Sequence, residues 1–239
     1  MNWKLLGALS ALMMPLSVLA ADLPVKAPAN APVSTVYNWT GFYAGGHVGY
    51  DGTNARHDRS PVAGGPVDTE SLSLDGVEGG IQGGYLFQTG PLVFGIESDF
   101  GWSSASTNPT YTCPAASCVF ATTYNYTAKN IYGGTIRGRF GYAFDNWLPY
   151  VTGGWAYGQS KSEGTATVLG VATPFSTTHN TTGWTVGGGI ENAFAPSWSW
   201  KLEYLYTQIN DDTSAAAGVT TVAKANSNAI RLGVNYHFK

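Results

Sequence analysis

From Trp39 onward the chain alternates apolar and polar residues in stretches that stop, turn and start again. The closing stretch, Asn228–Phe238, shows the rule. Ile230, Leu232, Val234, Tyr236 and Phe238 share one face, and Arg231, Gly233, Asn235 and His237 share the other. Period two without caps or a helical stripe reads as a strand. The same alternation predicts eight strands, at Gly41–Asp51, Val77–Phe87, Leu92–Ser103, Asn130–Phe144, Leu148–Ser160, Thr182–Phe194, Trp198–Asn210 and Asn228–Phe238. Each is about as long as a tilted strand that crosses a bilayer. Faces can be assigned on most of them. Val77, Ile81, Tyr85 and Phe87 oppose Glu78 and Gln82; Leu92, Phe94, Ile96, Phe100 and Trp102 oppose Glu97 and Asp99. Ile136, Phe140, Tyr142 and Phe144 oppose Arg137 and Arg139; Trp198, Trp200, Leu202, Tyr204 and Tyr206 oppose Ser199, Lys201 and Glu203. The fifth stretch mixes its faces, with Tyr150, Val151, Trp155 and Tyr157 on both.

The connectors carry a second pattern. Three are tight: Gln88-Thr89-Gly90-Pro91, Asp145-Asn146-Trp147 and Ala195-Pro196-Ser197, all of turn-forming residues. The other four, Gly52–Gly76, Ser104–Lys129, Lys161–Thr181 and Asp211–Ala225, are long and read as loops. Short and long alternate, as in outer-membrane barrels with short periplasmic turns and long outer loops. The expected fold is therefore all-β: an eight-stranded antiparallel up-and-down transmembrane β-barrel. An even strand number puts both termini in the periplasm and the long loops outside the cell. Phe42, Tyr85, Phe87, Phe94, Tyr142, Phe144, Trp147, Phe194, Trp198, Trp200, Tyr236 and Phe238 gather at the short-turn end, as a lipid–water aromatic girdle would. Closure requires the last strand to pair with the first, which removes the sheet edges.

Residues 1–20 read as a cleaved export signal: Lys4, an apolar run Leu5–Leu19, and the small-x-small pattern Val18-Leu19-Ala20. A membrane anchor is disfavoured by the short run and by Pro15. Residues 21–38, rich in Pro and Ala, read as a disordered periplasmic linker, and residues 39–239 as the barrel. Cleavage removes one base and no acid, moving the formal charge from −3 to −4 and disfavouring nucleic acid as a partner. Charged residues are 11% and aromatics 13% of the chain, with 31 glycines, a balance that suits strands facing lipid outside and crowding inside. In an exported chain the two cysteines, Cys113 and Cys118, read as a local disulfide rather than a zinc site.

The chemistry-bearing residues fall on the predicted inner faces: His47, Glu78, Gln82, Glu97, Asp99, Arg137, Arg139, Glu191, Lys201, Glu203, Arg231 and His237. An eight-stranded barrel has room inside only for side chains. The mixture of acids and bases is expected to form a paired network that plugs the lumen; the competing reading is a narrow gated ion path through the same groups. Gly80, Gly84, Gly187 and Gly189 make room for the long side chains. No cofactor or metal is expected. Enzyme chemistry is disfavoured, because His57 and His179 lie in different outer loops, with Asp58, Ser60 and Asp68 nearby in sequence and no motif to orient them. His57, His179, Tyr111, Tyr124 and Tyr126 are the only residues offered for iron or haem. The Gly-rich runs GGIQGG and GGGI sit inside strands, so they are not phosphate loops.

The runs VYNWTGFYAGGHVGY, GGIQGGYLFQTGPLVFGIESDFGW, GTIRGRFGYAFDNWLPYVTGGWAYG, GWTVGGGIENAFAPSWSWKLEYLY and RLGVNYHF resemble the small opacity-like outer-membrane surface barrels of alphaproteobacteria. That group includes major surface antigens and haem-binding members. The resemblance spans the chain from Trp39 and implies location in the outer membrane with a structural or surface-antigen role. A porin-like channel for small solutes is the alternative, and a haem-binding surface protein a lesser one. The partners implied are outer-membrane lipid and lipopolysaccharide, the barrel-assembly machinery, and host molecules or haem through the loops. In such barrels the terminal strand is the assembly signal, which places Tyr236 and Phe238 in that role. Here Lys239 follows Phe238, a departure from the usual aromatic end.

Overall fold

The computed structural model describes residues 37–61, 67–115, 120–216 and 219–239, with the backbone alone at 61, 210–216 and 219–221. The expected signal peptide, almost all of the linker, and Cys118 lie outside the described residues. Eight long strands form the ring: β1 (Gly41–Pro61), β2 (Asp68–Thr89), β3 (Leu92–Ser103), β6 (Thr122–Tyr142), β7 (Trp147–Val168), β8 (Val171–Ala195), β9 (Trp198–Ala216) and β10 (Val219–His237). Two short pieces, β4 (Ser106–Thr107) and β5 (Thr110–Cys113), continue the line of β3 and pair with β6. Neighbours are antiparallel throughout. β1 closes the ring by pairing with both β2 and β10, with His47 opposite Gly80 on one side and Gly233 on the other.

The expected tight turns are present. Gly90 turns β2 into β3 with φ +56°, and Asp145 turns β6 into β7 with φ +50°. The four long connectors differ from the loop expectation: most of their length is strand. β7 and β8 run on to a two-residue turn at Leu169–Gly170, both with positive φ, pairing in register up to Val168↔Val171. β8 is 25 residues long, whereas about 9–11 tilted residues cross a bilayer. The alternation signal vanished there because neither face meets lipid. The Thr- and Val-rich run TATVLGVATPFSTTHNTT still favours strand through its β-branched side chains.

Between the turns and these extensions lies a lipid-facing band. Val48, Ile81, Ile96, Ile136, Val151, Val186, Leu202 and Val234 point out of the barrel and are 44–67% exposed. The expected girdle flanks it at the tight-turn end, with Phe42 on Tyr85, Trp147 on Trp200 and Trp198 on Tyr236. A second girdle, not anticipated from sequence, closes the other side: Phe100 on Trp102 and Tyr132, Trp155 on Tyr157, and Trp184 on Tyr206. Phe94 to Trp102 and Tyr142 to Tyr132 span roughly 8–10 residues, about 20–25 Å of height for tilted strands. That matches an outer-membrane hydrocarbon layer.

Past the second girdle the ring opens along two seams. The β2–β3 ladder ends at Glu78↔Ser103 and the β8–β9 ladder at Gly183↔Ile209. Beyond them stand two sheets, β5-β6-β7-β8 and β9-β10-β1-β2. At the first seam β4 keeps a backbone link, pairing with β2 at Asp75↔Ser106 and with β6, and past it Leu72 and Leu74 pack with Ala105, Ala55, Tyr126 and Ala128.

Candidate functional site in the barrel lumen

The lumen is layered. At the tight-turn end lies an apolar plug. Trp39, ahead of β1, is fully buried with Tyr43, Leu86, Val93, Ala143, Leu148 and Ala193, and Tyr37 packs on it. Leu86, Val93 and Leu148 are inward apolar residues next to tight turns, where the charged network does not reach.

Above the plug the expected charged residues meet. Glu97 is the hub. It accepts hydrogen bonds from Arg137 Nη2 at 2.6 Å, Lys201 Nζ at 2.8 and 3.0 Å, Arg139 Nη1 at 3.2 Å and Tyr43 Oη at 2.6 Å. Arg137 also reaches Asp99 at 3.1 Å and lies 3.0 Å from Glu203. Arg139 donates to Glu191 at 2.7 Å and stacks over the Tyr150 ring at 3.8 Å. Glu191 accepts from Ser199 at 2.6 Å and Asn235 at 2.8 Å, with His237 Nε2 at 3.5 Å. Gln82 donates to Asn235 at 2.7 Å. Arg231 forms the top of the cluster, bonding both oxygens of Glu78 at 2.5 and 3.0 Å and Asp99 at 3.2 Å. Glu97, Arg137, Glu191, Lys201 and Glu203 are each at most 2% exposed. Five carboxylates thus face four cations inside a low-dielectric wall, an arrangement tolerable only because each charge has partners.

Four neutral groups complete this network: Ser199 and Asn235, which the sequence places on the inner faces without assigning them a part in it, and Tyr43 and Tyr150, which sequence reasoning missed. The two tyrosines had a signal as well. Tyr43 lies opposite Gly84 and Tyr150 opposite Gly189, and a Cβ at either glycine would come within 2.8 Å of the tyrosine hydroxyl. The expected space-making by Gly84 and Gly189 therefore serves two inward aromatics.

Above Arg231 the lumen is not filled, contrary to expectation. A cavity of about 630 Å³ runs outward from His47, Glu78 and Arg231 between the two outer sheets. The reason is side-chain size: Ala55, Gly101, Ala128, Gly133, Ala156 and Gly158 line it where long residues fill the lower half. At its rim Glu70 accepts from Arg59 at 2.8 Å and Tyr126 Oη at 2.8 Å, with His57 Nδ1 at 3.7 Å. Burial pushes the Glu70 carboxyl up, but the nearby His57 and the hydrogen bonds from Arg59 and Tyr126 outweigh it and hold it below the ordinary value.

The residues offered for haem are strand residues of this outer region, not loop residues. His57, Tyr124, Tyr126 and His179 all line the cavity, and Tyr111 stacks on Tyr124. Tyr126 is committed to Glu70, and burial followed by that bond raises its pKa, which opposes the phenolate form that ligates iron. Asp58 points outward, accepting from Arg56 and Thr69, on the face opposite His57. Cys113 is buried at the end of β5, and its pairing with Cys118 lies outside the described residues. Phe238 donates its backbone N–H to Phe42 O at 2.9 Å, while the Lys239 ammonium sits 3.8 Å over the Tyr37 ring.

A closed antiparallel ring with an apolar belt, two aromatic girdles and a charged interior defines an integral outer-membrane β-barrel. The chain belongs to the family described as the outer membrane protein beta-barrel domain, whose model matches residues 8–238. It is 36% identical, over 95% of its length and 96% of the relative's, to the 31 kDa outer-membrane immunogenic protein of Brucella melitensis. It is 29% identical to the 22 kDa outer membrane protein of Rhizobium leguminosarum, covering 87% of this chain and 82% of that one. Among solved structures it resembles OprG of Pseudomonas aeruginosa, with TM-score 0.52 and 12% identity over 84% of this chain and 99% of that one, a likeness of fold alone. The protein is an outer-membrane protein.

Proposed function

We propose that this barrel is a structural and surface-exposed component of the outer membrane, not an enzyme, with its extended hairpins outside the cell and both termini in the periplasm. The observation that carries the reading is Glu97, held at once by Arg137, Arg139, Lys201 and Tyr43 across the lumen. A hub bonded from several strands spans the bore and cross-braces the wall, and the apolar plug around Trp39 lies beneath it. The β7–β8 hairpin supports the surface role, because its tip, with Leu169 81% exposed, stands furthest along the strands from the tight turns. The relatives named immunogenic proteins agree with an exposed antigenic surface. Lipid and lipopolysaccharide would contact the outer belt, and the assembly machinery the last strand.

Conductance of refolded protein in planar bilayers tests this against the channel alternative. A silent bilayer containing heat-modifiable barrels is expected. Steady open steps that vanish in Arg137, Arg139 or Glu97 variants would establish the channel instead.

A further inference from the structure

A paired network and an apolar plug are enough for a structural barrel; the cavity above them is an addition. We propose that the cavity between the two outer sheets binds a small neutral polyhydroxylated solute, a mono- or disaccharide. Its volume of about 630 Å³ is that of a small-molecule pocket, and it ends on His47 and the Arg231–Glu78 pair. Its walls are of two kinds. Leu72, Leu74 and the Tyr126 ring form an apolar strip, with Phe175 near Tyr126 at 6.2 Å between ring centroids. Ser160, Thr177 and Thr181 present hydroxyls from β7 and β8 on the other side. A sugar ring has the same two characters, a C–H face that packs on aromatics and a rim of hydroxyls that both donate and accept.

Charge selects among solutes. Arg231 is committed to Glu78 and Asp99, Arg59 to Glu70, and Lys129 and Lys161 to Glu163, while Lys224 has a partner as well. Asp51 is different. Its carboxylate accepts from the hydroxyls of Thr53 and Ser227, and among the described residues no cation lies within ion-pair distance of it. Two lysines share the single Glu163, which offsets Asp51, so these pairs leave no surplus of either sign and suit a neutral solute; Asp51 already binds hydroxyl donors of the kind a sugar supplies. The floor is formed by His47. His47 is 8% exposed, lines the cavity, and its Nδ1 has no hydrogen-bond partner. That nitrogen is itself shut off from solvent, so the His47 ring closes the floor of the hydroxyl-lined pocket rather than offering Nδ1 to an occupant.

Calorimetric titration of the full chain, refolded in detergent micelles, tests the proposal. The probes are glucose and maltose, with lactobionate as an anionic disaccharide and tetraethylammonium as a cation. Saturable one-to-one binding of glucose or maltose is expected, without binding of lactobionate. Asp51→Asn should weaken it about tenfold through loss of a charge-assisted hydrogen bond, and Ala128→Phe should abolish it by filling the cavity. Heat-modifiable migration on gels reports whether each variant still forms the barrel, and Thr181→Val replaces Asp51→Asn if that variant does not fold. No saturable heat with either sugar overturns the proposal. So does tetraethylammonium binding in their place, or sugar binding unchanged in the variants that fold.

Discussion

Lys201 on β9 places its ammonium 2.8 and 3.0 Å from the two oxygens of Glu97 on β3, 104 positions away in the chain and across the bore of the barrel. Both side chains are completely buried. The pair joins strands that are not neighbours in the sheet, so it cross-braces the wall.

Removing the hub carboxylate should cost more than removing one of its cations. Glu97→Ala leaves Arg137, Arg139 and Lys201 crowded without their shared anion, a loss of about 3–5 kcal/mol. Urea unfolding of the barrel in lipid vesicles measures it. Adding Lys201→Met to Glu97→Ala should recover part of the loss; a strictly additive double variant would show that the two residues do not interact.

Trp39 precedes the first strand, yet it is fully buried in the plug. Trp39→Ala should destabilise the barrel by about 3–5 kcal/mol through the cavity it leaves. The same unfolding experiment checks it, and an unchanged midpoint would mean that the plug contributes nothing.

The outer rim should loosen in acid. Glu70 titrates below its ordinary value of 4.5 in the folded protein. A carboxyl lowered in this way stabilises the folded rim above its unfolded pKa and loses that contribution as the pH falls through the folded one. Hydrogen exchange of β2 and β6 amides near Glu70 and Tyr126 should therefore accelerate, beyond the intrinsic pH dependence, at pH below about 4.5. Glu70→Gln should show the faster exchange already at neutral pH.

Orientation can be read on intact cells. An epitope inserted at Leu169–Gly170 should bind antibody without permeabilisation, and one at Asp145–Asn146 should not. The reverse result would invert the barrel.

The chain end separates two roles. Phe238 continues the closing strand through its bond to Phe42, whereas Lys239 only caps the Tyr37 ring. Deleting Phe238 and Lys239 should impair membrane assembly, and deleting Lys239 alone should not. Membrane-fractionated, heat-modifiable protein is the readout; normal assembly without Phe238 would sink the idea.

The membrane-spanning half was legible because lipid on one side and charge on the other impose a period-two code. Arg137 and Arg139 opposing Ile136 and Phe140 mark the inside of β6 without any coordinates. Strand β7 resisted the same reading, since Tyr150 faces inward and Val151 and Trp155 outward. Its inward tyrosine is apolar in pattern yet polar in use, donating to Glu203 at 3.0 Å. The outer strands escaped notice because water on their outer face and a hydroxyl-lined cavity on the inner one ask for similar residues.

Sequence alone determined the number of membrane strands, the inward faces of all but β7, and the tight turns, because each depends on residues adjacent in the chain and on the solvent they meet. Which carboxylate each cation holds was decided by barrel closure, which sets the stagger between distant strands and brings Lys201 to Glu97 and Arg231 to Glu78. The cavity was decided in the same way. Small residues on several strands leave a void only where the ring stacks them at one height, and no local pattern records that height.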